Sequence, residues 1–278
     1  MSTLTGNIFY VLFTRRRRIA LDNLRRAFKN EKDEKEIKKL AKKSCASFLS
    51  LSVETFKLTK LFSRPDLMNT VRSQTEDLDK LFVKAKKIHD ESGGCIFVTP
   101  HIGNWEVLPY VSSLVGIPVS VVVRPLDNEY LEKSLYANRI ASGQVIIPRK
   151  KAFSALKRTL REGRSLGLLP DQSSSKGISV NFFGRKAYTT PIPAILAIWF
   201  KKPIVVVACC RKPDNSQYEG IVCDPIWPEE YSNEKAEVFR LTQAMNEKME
   251  SIIRKYPEQY LWFHNRWKEF KGIRDYLT

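Results

Sequence analysis

The chain has 278 residues, 43% of them hydrophobic and 28% charged, an ordinary globular composition with the length for one large domain or for one domain with a helical appendage. Its 47 Lys and Arg against 30 Asp and Glu leave a net charge of +17 and a pI near 9.7, a field that attracts polyanions such as nucleic acid, anionic lipid headgroups or an acidic protein partner. The five cysteines are odd in number, form no C-x-x-C pair and fall mostly inside apolar runs, which excludes a disulfide scaffold and reads as reduced core residues in a cytosolic compartment.

The first apolar stretch, Ile8 to Phe13, is six residues long, against the roughly 20 that a spanning helix needs. Neither a transmembrane segment nor a secretory signal peptide is therefore expected. From about Thr14 to Lys60 the pattern is helical and very basic, with Leu21, Leu24 and Phe28 on one side and Arg15, Arg18, Arg25 and Arg26 on the other. Such a helix can dip apolar side chains into a lipid interface while its arginines meet headgroups, at roughly 1 kcal/mol per basic residue. It can equally pack on its own domain. A second helix, about Glu34 to Phe56, carries Ile37, Leu40, Ala41, Cys45, Phe48 and Leu51 at helical spacing and reads as core.

Arg64-Pro65-Asp66 marks a break, and divides a basic helical, membrane-facing region (1–70) from an α/β domain (71–278). Beyond Gly93, short apolar runs at Cys95–Thr99, Val119–Val123, Val145–Ile147, Leu166–Leu169, Ile204–Cys210 and Gly220–Cys223 read as strands. Helical patterns lie among them at about Trp105–Leu114, Tyr130–Ala141, Phe153–Glu162 and Ile192–Phe200. This alternation predicts an α/β fold, a mostly parallel central sheet flanked by helices. A last helix, about Glu234–Tyr256, leads into an aromatic and basic tail, Tyr260 to Lys268, of a composition suited to a water–lipid interface.

Reactive groups in open α/β sheets gather at the carboxyl ends of strands. His101 falls there: Cys95–Thr99 is a buried strand by pattern, Pro100 ends it, Gly103 permits a tight turn, and Asn104 is a good N-cap for a helix opening on Trp105 and Glu106. The Glu106 carboxylate can then accept the proton of one imidazole nitrogen and leave the other free to take a proton from a substrate hydroxyl. The chain has no G-x-S-x-G elbow, so direct attack by a bound acceptor fits better than a covalent acyl-enzyme. A structural histidine beside a first-turn acid is the bland alternative for so short a pattern.

Thr99-Pro100-His101-Ile102-Gly103-Asn104-Trp105-Glu106 resembles the H-x-x-x-x-D/E signature of the lipid A biosynthesis acyltransferases, the late lauroyl and myristoyl transferases of the glycerolipid acyltransferase superfamily. The resemblance extends to Arg16–Phe28, Arg124-Pro125, Gly167-Leu168-Leu169-Pro170-Asp171-Gln172, Val180-Asn181-Phe182-Phe183-Gly184 with Thr189 and Pro191, and Trp262 to Lys268. It implies an acyl thioester donor, usually acyl carrier protein with acyl-CoA as the alternative, and an acceptor hydroxyl on a glucosamine-based lipid at the cytoplasmic face of the bacterial inner membrane. No metal or cofactor is implied. Members commonly carry an N-terminal membrane anchor, and this sequence reaches Arg15 too soon to hold one; either the sequence is trimmed or this member binds the membrane peripherally, and peripheral binding to anionic lipid is the expectation for the chain as it stands.

Other strand ends supply candidate substrate contacts. Arg124 follows Val119–Val123 and could bind a phosphate or the thioester oxyanion, or else pair with Asp127 or Glu129. Asp171 and Gln172 follow Leu166–Leu169 and could orient substrate, brace the loop bearing His101, or simply form a turn. Phe183, Gly184 and Arg185 put charge beside apolar surface and read as substrate-contacting, although a hairpin with two core phenylalanines would look the same. His264 reads as structural or as a supporting residue. The rival readings are a glycerolipid or ornithine-lipid O-acyltransferase, a thioester hydrolase, and a nucleic-acid-binding module. No recognition helix, zinc spacing or RNA-binding signature supports the last, and no nucleic acid is expected as a partner.

Overall fold

The computed structural model describes residues 10–61, 75–76, 78–123, 140, 144–148, 152–213 and 217–270, with side chains described for all of these except 56–61, 75–76 and 78–81. Two helices come first, α1 (Thr14–Ala27) and α2 (Glu34–Leu61). The remaining elements follow in the order β1 (Thr75–Glu76), α3 (Leu78–Ser92), β2 (Ile96–Val98), α4 (Leu108–Leu114), β3 (Val119–Val123), β4 (Val145–Pro148) and α5 (Ala152–Arg161). After them come β5 (Ser165–Leu168), β6 (Ile178–Phe182), β7 (Arg185–Thr189), α6 (Ile192–Phe200), β8 (Ile204–Arg211), β9 (Tyr218–Val222) and α7 (Glu234–Lys255), closed by a 3₁₀ turn at Pro257–Gln259.

One seven-stranded sheet runs β1-β9-β8-β2-β5-β3-β4, with every neighbouring pair parallel except β8 and β9. The apolar runs become strands because helices cover both faces: β2 is buried at every residue and β8 at all but Arg211, the signature of a parallel interior strand. The larger core joins one sheet face to α1, α2, α6, α7 and the C-terminal tail, while the other face builds a smaller core from Ala85, Ile88, Phe97, Ile117, Val119 and Val121 among others. None of the described helices is long and apolar enough to cross a membrane.

The expected helix over Trp105–Leu114 begins only at Leu108, with residues 105–107 in a turn, and its N-cap position is held by Val107 rather than Asn104. Most of the segment 130–141 lies outside the described residues, as does Arg124. At the other end of the chain, Asn233 caps α7 by accepting from the backbone N–H of Lys235 and Ala236.

Two side chains stitch the backbone of the tail to the rest. Asn23 of α1 donates to the carbonyls of Trp262 (2.7 Å) and His264 (2.6 Å), and Ser44 of α2 donates to the carbonyl of Tyr260 (2.6 Å). Trp262, Phe263, Arg266 and Trp267 are buried, so these residues of the tail serve the core rather than an exposed interface, while Lys268 beyond them stays exposed.

Candidate active site

Register places the reactive pair. In the parallel ladder of β2 and β5, Ile96 faces Leu166, Phe97 faces Gly167 and Val98 faces Leu168. Three residues beyond Val98 stands His101, and three beyond Leu168 stands Asp171, so the two chains leave the sheet side by side and deliver both residues to the same spot. Asp171 Oδ2 accepts the backbone N–H of His101 at 2.8 Å, and its Oδ1 meets His101 Nδ1 at 2.6 Å. One carboxylate thus fixes both the turn and the ring.

The turn is held on its other side by the tail and by β8. Leu261 N–H donates to the His101 carbonyl (3.0 Å), Gly103 N–H to Gln259 (3.2 Å), and Asn104 N–H to Cys209 (2.7 Å). Gly103 has φ +57°, and a Cβ there would stand 2.1 Å from the Cys209 carbonyl oxygen, so the position needs glycine for close approach as well as for the turn. Asn104 is buried and donates from Nδ2 to Glu54 of α2 (3.2 Å); Glu54 in turn pairs with Arg211 and the Tyr218 hydroxyl.

Asp171 is only 2% exposed. Burial acts to raise its carboxyl pKa, but the His101 charge, the hydrogen bonds from His101 and the Arg266 guanidinium outweigh it and hold the carboxyl below its usual value. For His101, burial acts to lower the imidazole pKa, and the charge and hydrogen bond of Asp171, then the charge of Glu106, outweigh it and raise it above the ordinary value. The Tyr260 phenol is held well above its normal pKa by burial first and then by the charge of the nearby Asp171 carboxylate. Arg266, 2% exposed, lies over the Phe182 ring at 4.9 Å and donates to the Tyr188 carbonyl and to Thr189.

With Nδ1 committed to Asp171, His101 Nε2 is the nitrogen left for a substrate, and the Gln172 amide nitrogen lies 3.4 Å from it. Both residues line a cavity of about 1620 Å³. Its walls are of two kinds: the cations Arg15, Arg16, Lys176 and Lys268, and apolar side chains such as Phe48, Leu51, Leu156, Leu168 and Leu169. A second pocket, of about 100 Å³ and almost wholly apolar, lies against the other sheet face under α3 and α4 and shares Trp105, Leu168 and Leu169 with the first. Trp105 stands edge-on to the His101 ring at 5.1 Å.

The expected site residues divide as follows. His101, Glu106 and Gln172 line the large cavity, and Asp171 lies behind His101. The spacing reserved the hydrogen bond from one imidazole nitrogen for Glu106; Asp171 takes the one from Nδ1, because the β2–β5 register sets Asp171 opposite His101, whereas Glu106 sits in the turn before α4 and acts on the ring by its charge. Asp171 itself is buried, holds His101 by two hydrogen bonds and is not among the described residues lining the cavity, an arrangement that fits the second of the roles its sequence allowed, a brace for the loop bearing His101. Phe183 and Gly184 form the turn of the β6–β7 hairpin, both at positive φ (52° and 67°), and Arg185 opens β7. Phe183 packs against Phe28, Trp262 and Trp267, with Arg254 over its ring at 4.7 Å. Phe183 therefore faces the core while Gly184 and Arg185 are exposed, and none of the three is among the described residues lining the cavity.

Sequence reasoning missed Arg266 as a cation acting on Asp171, Tyr260 as a buried neighbour of that carboxylate, and Trp105, Arg15 and Arg16 as cavity walls. It gave His264 the supporting place it occupies: Nε2 accepts the Ser173 backbone N–H at 3.2 Å, and burial keeps its pKa below normal. The available signal for the tail was the resemblance of Trp262–Lys268, since composition alone suggested lipid contact.

A buried carboxylate behind a histidine that faces a cavity with apolar and cationic walls can activate a hydroxyl against an ester-like carbonyl carried by an amphiphile, and the class this defines is an acyltransferase. Over residues 2–269 the sequence matches the family described as bacterial lipid A biosynthesis acyltransferase. The chain belongs to that family. It is 26% identical over 271 residues to the lipid A biosynthesis palmitoleoyltransferase of Escherichia coli (strain K12), a match covering 96% of this chain and 84% of that protein. The same identity and coverage hold for a lipid A biosynthesis acyltransferase of Shigella flexneri. The lipid A biosynthesis lauroyltransferase of Escherichia coli (strain K12) is 29% identical over 150 residues, 53% of this chain and 47% of that protein.

Proposed function

We propose that this enzyme moves a fatty acyl chain from an acyl thioester, carried by acyl carrier protein, to a hydroxyl of a lipid A precursor or similar glycolipid. The observation that carries the mechanism is the double grip of Asp171 on His101, which sets the tautomer and leaves Nε2 facing the cavity. In this reading His101 Nε2 takes the proton of the acceptor hydroxyl while its oxygen attacks the thioester carbonyl. Asp171 and, by its charge, Glu106 stabilise the imidazolium that forms. Collapse of the tetrahedral intermediate breaks the C–S bond, and the departing thiolate takes the proton back from Nε2. No protein nucleophile is needed.

The two pockets support the division of substrates. The narrow apolar pocket beyond Trp105 suits the hydrocarbon chain in transfer, and the wide cavity, with Arg15, Arg16, Lys176 and Lys268 on its walls, suits an acceptor that carries both acyl chains and anionic groups. The net charge of +17 favours encounter with an acidic carrier protein. Just ahead of α1, Val11, Leu12 and Phe13 are 60%, 68% and 51% exposed, and Arg15 to Arg18 follow; these residues support peripheral attachment to the anionic cytoplasmic face of the inner membrane.

The test is mass spectrometry of the lipids formed when the enzyme receives mixed acyl carrier protein and acyl-CoA thioesters with total membrane lipid, alongside His101→Ala. Wild type should acylate a glycolipid hydroxyl, and the variant should lose about 10²–10⁴ in turnover with its fold intact. Near-normal turnover in His101→Ala would remove the general base from the mechanism.

A further inference from the structure

Acyl transfer requires a donor for the oxygen that becomes negative as the carbonyl is attacked, placed close to the base without competing for the acceptor's proton. Gln172 meets the geometric demand. Its amide lies 3.4 Å from His101 Nε2, it lines the cavity, and it is the next residue after the carboxylate that fixes the histidine. Asp171 holds the Nδ1 proton, so Nε2 is an acceptor, and the group of Gln172 that faces it is the NH₂ rather than the carbonyl.

The segment is held on both sides. Asp171 takes two hydrogen bonds from His101 before it, and after it the Ser173 and Ser174 backbone N–H groups are bound by His264 (3.2 Å) and the Tyr188 carbonyl (3.2 Å). One short stretch of backbone therefore sets the distance between base and amide. The Ser173 N–H, the adjacent backbone donor, is already committed to His264.

We propose that Gln172 is a catalytic residue, the oxyanion donor of the reaction; the inference rests on the acyl-transfer reading above. In the free enzyme its N–H points to the Nε2 lone pair, and the acceptor hydroxyl takes its place on that nitrogen when it binds. As Nε2 takes the acceptor's proton it ceases to be an acceptor, and in the same step the carbonyl π pair moves onto oxygen. The amide N–H turns to that oxyanion, an interaction made only as the barrier is crossed. When the C–S bond breaks, the electron pair returns to the carbonyl, the thiolate takes the proton from Nε2, and the amide regains its original partner.

The experiment uses the full chain with lauroyl-acyl carrier protein and total membrane lipid, reading transfer and hydrolysis together by mass spectrometry. Gln172→Met removes the donor at similar size, and Gln172→Glu keeps size and polarity while replacing donor by acceptor, so one variant that folds suffices. Expected is a loss of about 10²–10³ in kcat for transfer and hydrolysis alike, since both pass through the same oxyanion, with KM little changed; the pH limb set by His101 stays in place in Gln172→Met and moves to higher pH in Gln172→Glu, whose carboxylate stands beside Nε2. A kcat close to wild type, a loss confined to KM, or disappearance of the His101 limb would overturn the assignment. Wild-type enzyme without thioester turnover would instead overturn the acyl-transfer reading, and this inference with it.

Discussion

Two short segments of this chain look alike in sequence and end in opposite places. Pro170-Asp171-Gln172 and Phe183-Gly184-Arg185 both follow strands, both join a turn-forming residue to polar groups, and both were expected to touch substrate. The first leaves a parallel interior strand, β5, whose carboxyl end opens beside β2, and it reaches the cavity. The second turns an isolated antiparallel hairpin, and its aromatic ring is absorbed by α1 and the tail. Local chemistry does not separate them. The kind of strand each one leaves does, because only the ends of neighbouring parallel strands converge on a common crevice.

The largest effect expected from this contrast is at Asp171. Asp171→Asn keeps the shape but removes the larger of the two charges that raise the His101 pKa, leaving burial, which lowers it, opposed only by the weaker charge of Glu106. Wild-type activity should fall as pH drops through a His101 pKa above the ordinary 6.5, because the protonated ring cannot act as base. In the variant that limb should move to lower pH while kcat falls by about 10²–10⁴. A pH–rate profile with limb and plateau both unmoved would break the claim that Asp171 is the brace.

At the hairpin the balance should reverse. Phe183 is 4% exposed and packed among aromatic rings, so Phe183→Ala should cost about 3–5 kcal/mol of stability in a denaturant titration. Turnover per folded molecule should stay near wild type, since the side chain is not on the described cavity wall. A variant stable as wild type but with a raised KM for the lipid acceptor would return this residue to the substrate.

How much of this could be read in the sequence follows the same division. The strands of the parallel sheet were legible because burial on both faces writes continuous apolar runs, as in Ile204 to Cys210. His101 was legible as a reactive group because Pro100 and Gly103 mark a strand end. Its partner was not, for the pairing depends on β2 lying beside β5, a neighbour relation across 70 residues that spacing within H-x-x-x-x-E cannot report. Arg266 and Trp267 misled in the other direction: exposed and buried aromatic–basic runs have the same composition, and only the hydrogen bonds of Asn23 and Ser44 to the tail backbone show which this is.

The smallest effect, and the one that sharpens the role of β5 most, lies inside the strand rather than at its end. Gly167 borders the narrow apolar pocket, and a Cβ there would stand 3.1 Å from Val121 Cγ1 and 3.2 Å from Val119 Cγ1, so an added methyl must push those side chains. If the transferred chain lies in this pocket, Gly167→Ala should leave the His101–Asp171 geometry alone and shift donor preference toward shorter chains. The longest chain used by wild type should lose about tenfold in kcat/KM relative to a chain two carbons shorter, the scale of discrimination that one methylene allows. Competition between thioesters of different length, read by mass spectrometry, measures the ratio directly. A uniform loss at every length would assign Gly167 to sheet packing alone; an unchanged ratio with full activity would place the chain in the wide cavity instead. Catalysis and chain selection would then belong to different walls of the site rather than to successive residues of one strand.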